Sequence, residues 1–170
     1  MSREQDDPAE GRDAMTRTVE EARLLADQRR EDGWDALVVP AVDTAPVPSD
    51  AEEREWGFVH IVPDNYAGRV AAACETGSFP RYDIYRRRIG ETVSFVTELL
   101  DPEHKTVLLV AGQYTTENAT GLYHEATSEG TIRTMLQRLD GDRLARFEHE
   151  DVEKFFPDGM AARSGRQYYR

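Results

Sequence analysis

Between Arg81 and Ala111 three β-type runs follow one another with almost no chain between them: RYDIYRRRI, TVSFVTELL and TVLLVA. Gly90-Glu91 separates the first two, and Asp101-Pro102-Glu103-His104 leads into the third. A parallel pairing of neighbours needs a crossover of about a dozen residues, so these short turns force antiparallel pairing. The third run, Thr106 to Ala111, is nearly all apolar and is expected to be a central strand buried on both faces. A chain organised around such a meander is an α+β domain: a mainly antiparallel sheet of about five to six strands flanked by helices.

The flanking segments fill in the order. From about Thr16 to Glu31, Met15, Val19, Ala22 and Ala26 recur at helical spacing, Thr18 and Glu21 match a capping box, and Gly33 supplies a stop. Ala36 to Val39 reads as a strand ended by Pro40. Residues 40–55, with Pro40, Pro46, Pro48 and an acidic tract, read as a surface loop, with a lid or partner segment as the sharper alternative. Trp56 to Val62 is a strand. Asp64 is placed to cap a helix carrying Ala67, Val70, Ala71 and Cys74, and Gly77 ends it. Gly112 to Ala119 reads as a loop. Leu122, Ala126, Ile132, Met135, Leu136 and Leu139 suggest a helical region, one helix or two divided at Gly130. Leu144 to His149 is a strand, and Asp151 caps a short turn bearing Phe155 and Phe156. The order is α-β-β-α-β-β-β-α-β, whose first eight elements match roadblock and profilin-like domains. A disordered arm (residues 1–13) and a mobile tail (158–170) are expected around a single domain over 14–157.

Charge bears on where such a chain works. Its 170 residues carry 33 Asp plus Glu against 21 Lys plus Arg, a net charge of −12. Only Lys105 and Lys154 are lysine. The acid is dispersed rather than blocked, so it is no acidic tail. In molar salt, repulsion between carboxylates is screened over about 3 Å, and an acidic surface holds water and cations. The chain therefore reads as a halophilic protein. No apolar run is long enough to span a membrane, and the polar start MSREQDDPAEGRD reads as no secretory signal, so a cytoplasmic location is expected. The single cysteine, Cys74, excludes an internal disulfide and a cysteine-based zinc site; as part of an apolar helical face near an acidic neighbour, it reads as inert.

Chemistry is sparse. The sequence has no P-loop, no G-x-G-x-x-G, no G-x-S-x-G and no H-E-x-x-H. His60 interrupts an apolar strand, on the same face as Phe58 and Val62. There it is either a tunable acid-base group or a core histidine bonded to a neighbour, and the second is the expected reading. Arg81, Arg86, Arg87 and Arg88 are the one basic concentration in the folded part. Arg86 and Arg88 share a strand face with Tyr82 and Ile84. Arg81, Tyr82, Arg86 and Arg88 are the candidate ligand-binding set, for phosphate or stacked bases, against simple cross-strand pairing with carboxylates such as Glu98. Molar salt removes the counterion-release drive, which argues against nucleic acid. The run Glu148-His149-Glu150-Asp151 looks like metal ligands, but alternation leaves at most two on one face, so no metal is assigned. No cofactor is implied.

Three stretches, WGFVHIVPDNYA, VTELLDPEHKTVLLVAGQY and FEHEDVEKFFPDG, resemble a group of small acidic haloarchaeal proteins of no established function. The resemblance covers roughly residues 15 to 159. It implies a single halophilic domain and carries no catalytic residue. The resulting reading is a non-catalytic interaction or regulatory module that forms a homodimer or binds a protein through a sheet edge. The alternative is a small enzyme or a binder of an anionic small molecule, using His60 with Arg86 or Arg88.

Overall fold

The computed structural model describes residues 8–49 and 56–161. α1 (Pro8–Glu31) is followed by β1 (Asp35–Pro40), β2 (Asp43–Val47), β3 (Gly57–Ile61) and α2 (Asp64–Thr76). Then come the meander strands β4 (Arg81–Ile89), β5 (Thr92–Asp101) and β6 (Thr106–Thr115). α3 (Thr116–Glu129), β7 (Ile132–Gln137), β8 (Arg143–His149) and a 3-10 turn over Val152–Phe155 complete the described chain.

The meander pairs antiparallel throughout, from Arg81 opposite Leu100 to Asp101 opposite Thr106. Gly90 takes φ 63 in the two-residue turn, a conformation that favours glycine. β1 adds to the far side of β6 in parallel, giving the order β1-β6-β5-β4. β6 is therefore central, and Val107 to Ala111 are fully buried. The other sheet has the order β2-β3-β7-β8, with β3 and β7 parallel.

The α+β class thus holds, while the single sheet of five to six strands is replaced by two sheets of four, each with one parallel pair. Two misread segments account for the difference. Residues 40–55 contain β2, whose Pro46 is tolerated because β2 is an edge strand. The expected helix through Leu139 stops at Glu129, where Gly130 takes a left-handed cap at φ 80. Ile132, Thr134 and Leu136 then alternate inward as β7, because β-branched residues suit a pleated, half-buried surface. The expected loop at Gly112 to Ala119 instead ends β6 and starts α3, with the Thr115 hydroxyl accepting from the Asn118 N–H.

α1 starts at Pro8 rather than near Thr16, so residues 8–13 of the expected arm are helical. Thr18 is no cap: it lies mid-helix, its hydroxyl donating to the Ala14 carbonyl at 2.8 Å. Ala14, Thr18, Ala22 and Ala26 form a buried stripe of small side chains. Small residues let the helix lie close on the first sheet, where Ala22 and Ala26 meet Val96, Leu100, Val107 and Leu109. Likewise Pro63, not Asp64, takes the N-cap of α2. Met160, in the expected tail, is buried in the core, while residues 1–7, 50–55 and 162–170 lie outside the described residues.

The opposite face of the first sheet packs on the second sheet. Phe58 of β3 is fully buried there, its ring 5.1 Å from Phe95, 5.0 Å from Tyr114, 5.8 Å from Phe155 and 5.7 Å from Phe156. Burying such a side chain contributes about 1.5–3 kcal/mol, with a further gain from ring pairing. Ala119, Leu122 and Ala126 of α3 complete this cluster. Ala67 and Val70 of α2 close a neighbouring one with Val39, Leu108 and Leu136.

Candidate functional site

His60 lies where alternation placed it, on the inner face of β3 with Phe58, and it has no exposed surface. Its Nδ1 is 2.8 Å from the Thr44 hydroxyl on the neighbouring strand β2. Gly112 of β6 makes room for this pair, since a Cβ there would strike the Thr44 hydroxyl and crowd the imidazole. Among the described residues Nε2 has no partner, and on the facing sheet the Thr97 hydroxyl has none either. Burial lowers the His60 pKa to about 3, so the ring is neutral at any ordinary pH. The ring lines none of the four clefts described below.

His149 repeats the device. It is 3% exposed, its Nε2 is 2.8 Å from the Thr134 hydroxyl, and its ring centre is 4.2 Å from that of Tyr82. Burial lowers its pKa to about 4. Glu148 points the other way, toward Arg133 at 3.5 Å, so the acidic run around His149 is divided as alternation requires. His104 donates its N–H to Asp101 and brings Nδ1 within 2.8 Å of the same carboxylate. With Glu103 these groups place ligand atoms within 4.8 Å of one another. The Asp101 carboxylate is already bonded across its own turn and lies against Gly77, so closing the β5–β6 turn accounts for its position.

The arginine strand divides. Arg86 donates to the Lys154 carbonyl at 3.0 Å, and Arg88 donates to the Gly90 carbonyl at 2.7 Å with Glu91 at 3.7 Å. Arg87 pairs with Glu21 of α1. Arg81 and Tyr82 instead share a cleft of about 410 Å³ at the β4 edge with Arg29, Trp34, Glu98 and Lys154. Arg81 has no hydrogen-bond or ion-pair partner among the described residues. The Tyr82 hydroxyl accepts from the Asp151 N–H at 3.0 Å, Lys154 Nζ lies 5.2 Å over its ring, and burial is the main cause raising its pKa. His60 lies inside the core while Arg86 and Arg88 are exposed, so the fold does not gather them in one cleft.

Glu98 was expected to face the β4 arginines. It lies on the α1 side of β5, fully buried, accepting from Arg29 Nε at 2.8 Å and from the Tyr85 hydroxyl at 3.0 Å. The Glu98 hydrogen bond raises the Arg29 pKa, and burial together with Glu98 pushes Tyr85 up to about 12. The signal was present in the sequence: Glu98 is the one charge in TVSFVTELL, just as His60 is the one ionisable group in its strand. Cys74 is part-buried beside the β8 edge, and burial raises its pKa to about 11, consistent with an inert thiol.

Four clefts lined by described residues follow sheet edges: one along β8, one along β4, and two beside β1. A family model spans residues 1–157 of this chain. The chain belongs to DUF7529, a family of unknown function. No curated protein and no solved structure matches it. Membership in DUF7529 brings no residue role with it, so the chemistry rests on the geometry above. No described helix is long and apolar enough to cross a membrane.

Proposed function

We propose that this DUF7529 chain is a non-catalytic protein-interaction module that works through a sheet edge. The carrying observation is the division of its polar groups. The two buried histidines are neutral and held by threonines between the sheets, while the clefts lie along strand edges, where backbone donors and acceptors can meet a partner. The dispersed acid and the scarcity of lysine support a halophilic, cytoplasmic setting for this role. Capture from native extract tests it, comparing the wild type with charge reversals beside three edges: Arg69→Glu (β1), Arg81→Glu (β4) and Arg146→Glu (β8). The reading expects a recovered partner, or a dimer by light scattering, that one reversal abolishes. A strict monomer that captures nothing contradicts it.

One observation favours a second reading, an anionic small-molecule binder: Arg81 stands without a partner in a cleft it shares with Arg29, Lys154 and Tyr82. Calorimetry with phosphate and citrate, repeated on Arg81→Ala, tests it. Binding that this substitution leaves unchanged would remove the cleft from consideration.

A further inference from the structure

The open edge of β1 forms the floor of a groove whose walls are α1 and α2. Asp35 donates to the Lys105 carbonyl and Ala41 to the Ala111 carbonyl. In this parallel register the odd-numbered residues of β1 therefore face β6, and Ala36, Val38 and Pro40 turn their backbone groups outward. The edge is partly guarded. Pro40 has no N–H to offer, and Arg30 of α1 donates to the Ala36 carbonyl at 2.9 Å while holding Asp27 at 3.0 Å. Val38 is left with both its N–H and C=O directed into the groove.

The groove has two compartments that share Leu37 and Arg69. One, about 340 Å³, is lined by Arg23, Arg30 and Arg69 with Tyr66, against a single carboxylate from Asp27. The other, about 460 Å³, is mainly apolar, with Leu37, Ala72, Ala73 and Leu108. Arg69 stacks over Tyr66 at 5.1 Å, and Arg23 has no hydrogen-bond or ion-pair partner among the described residues. In a chain of net charge −12, this compartment sets three arginines against one carboxylate. Carboxylates are abundant, yet among the described residues only Asp27 lines the arginine compartment and only Asp35 the other.

We infer that this groove binds an extended acidic segment of a partner protein as an added strand on β1. The partner backbone pairs with Val38. A carboxylate side chain enters the arginine compartment, and an apolar side chain within two positions enters the other. Arg30 then leaves the Ala36 carbonyl for the partner's carboxylate, which frees a further acceptor for the new strand. A second copy of this chain pairing β1 to β1 would set the same three arginines against each other, so charge complementarity selects an acidic partner instead. The inference rests on the interaction-module reading and names its surface and ligand.

The probe is a short, blocked, fluorescein-labelled peptide alternating glutamate and valine, with a lysine–valine peptide as control. The glutamate peptide is expected to bind at least about tenfold more tightly than the control, and Arg23→Glu with Arg69→Glu to lose about tenfold or more. In wild-type protein, hydrogen exchange at the Val38 amide should slow about tenfold on binding, a readout independent of whether any variant folds. Four results overturn the inference: equal binding of both peptides, indifference to the arginine reversals, displacement by inorganic phosphate with no protection at Val38, or a dimer through β1. If capture in native extract is lost on Arg81→Glu or Arg146→Glu but survives Arg69→Glu, the interaction module stands and this groove falls.

Discussion

The space between the sheets and the groove beside β1 use polar side chains in opposite ways. Between the sheets, His60 and His149 are each bonded to a threonine, and burial keeps both neutral. At the groove, Arg23 and Arg69 are exposed and have no carboxylate partner among the described residues. The same residue classes that suggest chemistry in a sequence thus serve packing in one place and remain available in the other. Exposure separates the two regions: the groove arginines are exposed, while the histidines are buried even though His60 Nε2 also lacks a partner among the described residues.

The largest effect should come from the interior. Phe58→Ala removes the ring at the centre of the aromatic cluster and is expected to cost about 3–5 kcal/mol in denaturant unfolding. A loss under about 1 kcal/mol would mean that the interior is not the rigid partner in this comparison.

Acid comes next. Both buried imidazoles have folded pKa values, about 3 and about 4, below the unfolded value of about 6.5. The unfolded chain therefore binds more protons as pH falls below about 6.5. Their contribution is complete above that pH and is lost toward pH 4, by up to about 1.4 kcal/mol per pH unit for each histidine. His60→Gln should remove about one proton from the slope of unfolding free energy against pH. An unchanged slope would place the imidazole in contact with water.

On the far face of the first sheet, Arg29→Met leaves the buried Glu98 carboxylate with only the Tyr85 hydroxyl. Because Arg29 is about one-third exposed, the expected loss is about 2 kcal/mol rather than the larger penalty of a fully buried pair. Glu98→Gln should restore part of it in the Arg29→Met background.

The smallest change in stability should come from the groove. Arg23→Glu with Arg69→Glu is expected to shift unfolding by less than about 0.5 kcal/mol, since both side chains are exposed. A large loss would make these arginines structural and close the gap between the two regions.

What the sequence made legible follows from how local each signal is. The meander was readable because its turns are short and its pairing has no alternative, and Thr106 to Ala111 was readable as central because it is apolar on both faces. β7 was not, because Ile132, Met135 and Leu136 also fit a helical stripe, and only the left-handed cap at Gly130 breaks the helix before them. β2 was hidden by Pro46, which an edge strand accepts. Of the site, the burial of His60 was readable from its apolar strand, but its Thr44 partner lies in the strand that was missed. The groove joins α1, β1 and α2, and the sequence has no feature that marks those distant arginines as neighbours.

The most direct measurement follows both regions in one nuclear magnetic resonance titration with the glutamate–valine peptide. The backbone amides of Ala36 and Val38 should shift and gain exchange protection while the imidazole signals of His60 and His149 stay fixed. Shifts at the two imidazoles with an unaltered β1 edge would contradict the account.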